Sequence, residues 1–222
     1  MTVANDGEEA RSVRVQDVHA SIAACDRCPR MRPHRRFSTH GNLGARWVMI
    51  GEAPSKESID RAKYWLGVSG RRLRRLVSSA THPSESRSLE LDRDFYLTDL
   101  VKCLPPRGKH GITSAVIGVC GQFLTDELEA LHPRLVVTVG AEPTKWIMDR
   151  YPPSHPGLGS ITDLHKTVDL DAWCAATWGL FLLRPFVHPS WGNKYLGSWD
   201  AYEYLLRDGL AAAIRLAVQC SA

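Results

Sequence analysis

The sequence predicts an α/β fold: a mainly parallel sheet of four strands, covered by helices on both faces. Three observations predict it. Short apolar runs alternate with longer stretches whose apolar residues recur at helical spacing. The runs are continuously apolar, as strands buried on both faces require. The unusual polar motifs fall where the runs end, and open α/β sheets bind ligands at the carboxyl ends of their strands.

Taken in order, residues 1–12 read as a flexible tail and 13–222 as one domain, with no repeat, low-complexity tract or linker to divide it. Residues 15–24 carry apolar positions at helical spacing and lead into Cys25 and Cys28. Residues 46–51, RWVMIG, form a first strand that runs into the turn signal GEAPS. A basic amphipathic helix covers 70–80, and 81–92 is Ser-rich and loop-like. The second strand is 95–101. A helix at 114–131 leads to the third strand, 134–140, and another helix follows at 141–150. Residues 151–178 carry Tyr151, His155, Asp163, His165, Trp173 and Trp178 without periodicity. The fourth strand, 180–187, ends at His188-Pro189-Ser190, and 198–219 is the closing helix. GEAPS, the TDLVKC stretch and HPS therefore converge on one edge of the sheet.

Composition narrows the class. A chain of 222 residues, 44% hydrophobic and 23% charged, is an ordinary globular protein. At this length about 70–75% of the unfolded surface is buried on folding, so no disulfide scaffold is needed. No apolar run approaches the roughly 20 residues of a membrane span. The amino-terminal stretch lacks the basic and apolar regions of a signal peptide, so an intracellular, cytoplasmic protein is expected. The net charge of +4 is mild but unevenly spread. Arg27, Arg30, Arg32, Arg35 and Arg36 surround His34, and Arg71, Arg72, Arg74 and Arg75 form a second cluster. Arginine suits phosphate, so the clusters are compatible with a polyanionic partner; a solvated basic face is the plainer account.

Six cysteines in an unsecreted chain point to metal or cluster ligation rather than disulfides. Cys25 and Cys28 form a CxxC, and Cys103 and Cys120 lie far downstream. Four thiolates suit either an iron–sulphur cluster or structural zinc, although the long gap after Cys28 is unlike a compact zinc ribbon. Cys174 and Cys220 read as unrelated buried thiols.

The order C-x2-C, GEAP, YLTDLVKCLPP, a later Cys, LVVTVG and HPS, over roughly residues 20–195, resembles the iron–sulphur uracil-DNA glycosylases of family 4. The resemblance implies a three-layer α/β/α fold, a pocket for a base flipped out of DNA, and a [4Fe–4S] cluster on Cys25, Cys28, Cys103 and Cys120. It also implies a monomeric hydrolase of N-glycosidic bonds. His188 takes the place of the family's catalytic histidine, donating a hydrogen bond to the base oxygen as negative charge develops there. Ser190 would hold a DNA phosphate through its hydroxyl and amide. Glu52 stands for the carboxylate that positions water or balances charge on the sugar. Ala53 occupies the place where the best-known uracil enzymes carry aspartate, and Glu57, the alternative carboxylate, reads as a surface residue.

Three departures bear on the substrate. Asp99 replaces the asparagine that reads uracil. An ionised aspartate only accepts hydrogen bonds, so it would repel O4 of uracil and accept from the N4 amino group of cytosine. Ser55 leaves room at C5, where the strictest uracil enzymes place tyrosine. Trp65 aligns with the phenylalanine that stacks on uracil and offers a larger face. Tryptophans in 151–178 could line a site for a sugar attached to the base.

The expectation is a monofunctional DNA glycosylase acting on a modified cytosine with a bulky C5 group, in defence against phage DNA. The alternatives are uracil removal in base-excision repair, and a protein that binds or covalently traps abasic DNA without cleaving it, for which His110 is the candidate residue.

Overall fold

A computed structural model of the chain describes residues 3–28, 40–82, 84–106, 112–151, 181–190 and 197–219. Four parallel strands form the sheet: β2 (Trp47–Gly51), β3 (Tyr96–Asp99), β4 (Leu135–Val139) and β5 (Leu182–Phe186). A two-residue strand, β1 (His40–Gly41), adds an antiparallel edge beside β3, giving the order β1-β3-β2-β4-β5. Every residue of the four parallel strands is buried. Their continuous apolar character is thus explained by helices on both faces.

The helices are α1 (Val3–Ala24), α2 (Lys56–Asp60), α3 (Val68–Ser78), α4 (Leu91–Asp94), α5 (Ser114–Leu131), α6 (Ala141–Arg150) and α7 (Trp199–Gln219). Helix α1 packs along α5, and α3 packs on α7. The apolar positions of 114–131 and 141–150 locate α5 and α6 at the expected bounds. Strands β3, β4 and β5 begin and end one or two residues inside their expected limits, whereas β2 begins one residue inside and ends at Gly51 as expected.

One boundary differs substantially. Helix α1 starts at Val3, so the expected division between tail and domain at residue 12 falls inside a helix. Arg11 is buried, and its Nη2 donates to the carbonyl of Gly44 at 2.9 Å. A helix held by Arg11, His19 and a long seam on α5 has no apolar stripe in its first turns to announce it. Among the described residues no helix is long and apolar enough to cross a membrane.

Strand β2 is flanked by β3 on one side and β4 on the other. The chain therefore leaves β2 toward one edge and later crosses back to the other. This reversal opens a crevice at the carboxyl ends of the strands, and the GEAPS turn, Asp99 and His188 all sit at that end.

Candidate active site

A cleft of about 300 Å³ opens at this edge. Its lining includes Ser55, Glu57, Tyr64, Trp65, Asp99 and His188. The sequence expectation placed Ser55, Trp65, Asp99 and His188 in one site, and the fold brings these four together.

Gly51, the last residue of β2, explains how Asp99 and Trp65 meet. A Cβ on Gly51 would lie 2.2 Å from Asp99 Oδ1 and 2.9 Å from Trp65 Cζ2. Only a residue with no side chain allows the carboxyl and the indole to share that space. The Trp65 and His188 rings lie 6.5 Å apart, centroid to centroid, inclined at 36°. Trp65 has a left-handed backbone, φ +59°, which costs a non-glycine residue of order 1–3 kcal/mol. Its carbonyl accepts from Arg74 Nε at 3.1 Å, and Arg74 forms a two-pronged pair with Asp92 at 2.7 and 2.9 Å. Gly70 completes the clamp: a Cβ there would lie 2.3 Å from the Trp65 carbonyl oxygen. The indole Nε1 is buried without a hydrogen-bond partner among the described residues.

Asp99 is 3% exposed. Burial pushes its carboxyl up to about 7, helped by the charges of Glu127 and Glu52 and opposed by Lys102. Lys102 does not neutralise it directly. The three protons of its ammonium go to Thr98 Oγ1 (2.6 Å), the main-chain oxygen of Asp99 (2.6 Å) and Glu127 Oε2 (2.7 Å). Tyr96 Oη and Thr98 Oγ1 donate to the two oxygens of Glu127, each at 2.9 Å, and His19 Nε2 meets Tyr96 Oη at 3.0 Å. This buried network ties α1, β3 and α5 together beneath the pocket floor.

His188 is half-buried, and desolvation lowers its pKa below the usual 6.5. Its Nδ1 lies 2.7 Å from Ser190 Oγ and accepts from the Ser190 amide at 3.3 Å. An amide N–H can only donate, so Nδ1 carries no proton and Nε2 carries it. The Ser190 hydroxyl and amide, expected to hold a phosphate, both meet His188, because a turn of two residues brings them within reach of the ring.

Both acidic candidates are exposed and stand near the cleft, and the charge of Glu52 acts on Asp99. Glu52 is exposed and absent from the cleft lining; its carbonyl accepts from the Val101 amide at 2.9 Å. Glu57 lines the cleft, with Oε2 2.9 Å from where a Cβ on Gly67 would stand. Ser55 caps α2 by accepting from the Ser58 amide at 3.1 Å, so its side chain is held against the cleft. Each of the 71–75 arginines has a partner within the protein, although Arg71 and Arg75 remain exposed. Arg71 bonds the Leu66 carbonyl, Arg72 lies over Trp199, Arg74 pairs with Asp92 and Arg75 with Glu203. The i, i+4 spacing of Gly70 and Arg74 was the available signal that this helix face turns inward.

Cys28, Cys103 and Cys120 border one small apolar cluster with Val101 and Val116. Cys25 lies close enough to Cys28 and Cys120 for its charge to act on both. Burial pushes the Cys28 and Cys120 thiols up; neighbouring thiols add to the rise at Cys28, while Lys102 and a hydrogen bond with Cys28 oppose it at Cys120. Among the described residues, no three His, Cys, Asp or Glu side chains are arranged to hold a single metal ion. The donor set is four thiols, three of them beside the apolar cluster, and four thiolates suit a thiolate-bound cluster. His110, His34, Arg30, Arg32, Arg35, Arg36, Cys174 and Cys220 lie outside the described residues. So do His155, Asp163, His165, Trp173 and Trp178.

An aromatic face, a buried carboxyl and an oriented imidazole thus meet in one cleft at the switch point of a parallel sheet. A model of the uracil DNA glycosylase superfamily matches residues 38–206, and the chain belongs to that superfamily, whose enzymes hydrolyse N-glycosyl bonds. The chain is 25% identical over 170 residues to the Type-4 uracil-DNA glycosylase of Saccharolobus solfataricus, covering 76% of this chain and 72% of that one. It is 25% identical over 160 residues to the Type-4 enzyme of Archaeoglobus fulgidus, covering 72% and 75%. It is also 29% identical over 152 residues to the Type-5 enzyme of Pyrobaculum aerophilum, covering 54% and 62%. The family match includes Cys103 and Cys120, while Cys25 and Cys28 precede it.

Proposed function

We propose that the protein is a monofunctional DNA glycosylase that takes a flipped cytosine carrying a C5 substituent. The base stacks on Trp65 and meets Asp99 with its Watson–Crick edge. His188 Nε2–H donates to the base O2 as the glycosidic electrons move into the ring. Glu57, which lines the cleft, and Glu52 beside it are the carboxylates available to orient water or balance positive charge on the sugar.

The observation that carries this reading is Asp99 itself. A buried carboxyl stands where an amide would read uracil, and cytosine is the base whose exocyclic group donates rather than accepts. The small Ser55 and the cleft of about 300 Å³ support a substituent at C5. Such bases occur in some phage DNA, and abasic sites block replication, so the reading places the enzyme in antiviral defence. It acts as a cytoplasmic monomer.

Cys25, Cys28, Cys103 and Cys120 would hold a [4Fe–4S] cluster. Bound there, it would cross-link the end of α1, the segment after β3, and α5.

Uracil removal is the second reading. It is favoured by the names of the relatives and by the raised pKa of Asp99, since a protonated carboxyl can donate to O4. The test is base release from oligonucleotides carrying uracil, cytosine, 5-hydroxymethylcytosine and its glucosylated form. Release of a modified cytosine in preference to uracil is expected. Efficient uracil release with none from any cytosine derivative would establish the repair reading instead.

A further inference from the structure

Asp99 has a role open to it that an asparagine could not fill. Its carboxyl faces the cleft, and no side chain among the described residues hydrogen-bonds to its oxygens. The nearest cation, Lys102, has spent all three of its protons on Thr98, Glu127 and the Asp99 main chain. The other titratable groups around it are Glu52 from the loop after β2, Glu127 from α5, Tyr64 from the segment before α3, and His188 beyond β5. The two carboxylates favour a neutral Asp99. His188 has its own pKa lowered by burial, so it supplies no positive charge at neutral pH.

Cytosine presents an N4 amino donor beside an N3 acceptor. A carboxylate would accept from N4 and set its second oxygen against the lone pair of N3. A carboxylic acid meets both: its carbonyl accepts from N4 and its hydroxyl donates to N3. Cytosine is also the harder base to expel. It lacks the second carbonyl over which departing uracil spreads negative charge, and the hydrogen bond from His188 to O2 must otherwise stabilise the whole anion.

We propose that Asp99 is the general acid of the reaction and passes its proton to N3 of the departing cytosine-type base. The proposal rests on the cytosine reading above. As the C1′–N1 bond breaks, its electron pair enters the ring, the Asp99 proton goes to N3, and the base leaves neutral. Water adds its oxygen to C1′ and releases one proton to solvent. Asp99, left ionised, takes up a proton before the next turnover. No oxidant, reductant or further reactant is required.

The test is single-turnover release, between pH 5.5 and pH 9, of the cytosine derivative that the panel above shows to be cleaved fastest. Each DNA is paired with a 3-deaza counterpart in which C–H replaces N3. For the wild type the rate should fall by about tenfold per pH unit above about pH 7, as Asp99 loses its proton. Asp99→Asn should be slower by about 10²–10⁴-fold below that pH, and flat above it. The wild type should cleave the 3-deaza base about as slowly as Asp99→Asn does, and the two losses should not add. Binding to DNA with an uncleavable abasic analogue should be the same for both proteins. Should Asp99→Asn fail to fold, the 3-deaza comparison on the wild type decides the matter alone. Fast wild-type cleavage of the 3-deaza base, or an undiminished Asp99→Asn, would overturn proton transfer and leave the cytosine reading standing. Release of uracil only would overturn both.

Discussion

Arg74 donates from Nε to the carbonyl of Trp65 at 3.1 Å, and Trp65 is held at φ +59°. The strained residue is thus the one that carries the stacking face, and a guanidinium anchored on Asp92 holds it there. Replacing Arg74 by Met should destabilise the fold by about 1.5–3 kcal/mol, the scale of hydrogen bonds to a charged group. Base release should slow as Trp65 relaxes, and the change should be visible in tryptophan emission. Arg74→Lys should not restore the rate, because an ammonium cannot reproduce the planar fork. An unaltered emission spectrum with full activity in both variants would remove Arg74 from the site.

His188→Ala should slow base release by about 10²–10³-fold, the scale of one lost donor to a developing oxyanion, with DNA affinity little changed. Ser190→Ala should cost far less, since the Ser190 amide still fixes the tautomer. Comparable losses in the two variants would show that Ser190 does more than orient the ring.

Asp99 sets a pH dependence of stability whose sign can be worked out. Its folded pKa, about 7, lies above the unfolded value near 3.8. Between these limits the folded state binds the extra proton, so the stability tied to this group is intact below about pH 4 and is lost as pH rises toward 7. Asp99→Asn should therefore melt higher than the wild type at pH 8, by an amount on the order of a few kcal/mol in stability. The difference should vanish near pH 4. Calorimetry at the two pH values checks this, and a difference that grows on acidification would refute the assignment.

Lys102 and Glu127 are 2% and 0% exposed, and each leaves the other's charge stranded if removed. Lys102→Met should destabilise by about 3–5 kcal/mol, with Glu127→Gln milder because it removes a charge while keeping hydrogen-bonding capacity. Denaturant unfolding of the two variants measures the ordering.

Protein purified without exposure to chelators should be brown, with iron and acid-labile sulfide in equal amounts. Cys120→Ser should lose both, together with solubility, whereas Cys174→Ser should lose neither. Colourless protein with stoichiometric zinc would rule out the cluster.

The positions of β2 to β5 and of α5 and α6 were legible from local pattern alone, because a strand buried on both faces must be apolar throughout. Convergence at the strand ends was legible too, since parallel topology forces every carboxyl end to one edge. The identity of Asp99 as a departure from an amide was likewise a matter of sequence. The start of α1 at Val3, the partners of the 71–75 arginines within the protein, and the place of Glu57 in the cleft lining were not. Each depends on which neighbour a side chain meets across the fold, and residues such as Arg74 and Asp92 or Lys102 and Glu127 are far apart in the chain. Sequence by itself determined which chemical groups the site could hold. Tertiary structure decided their states: burial raises the Asp99 pKa against the opposing charge of Lys102, and the Ser190 amide places the His188 proton on Nε2. Desolvation and hydrogen-bond geometry exist only once the chain has folded around these residues.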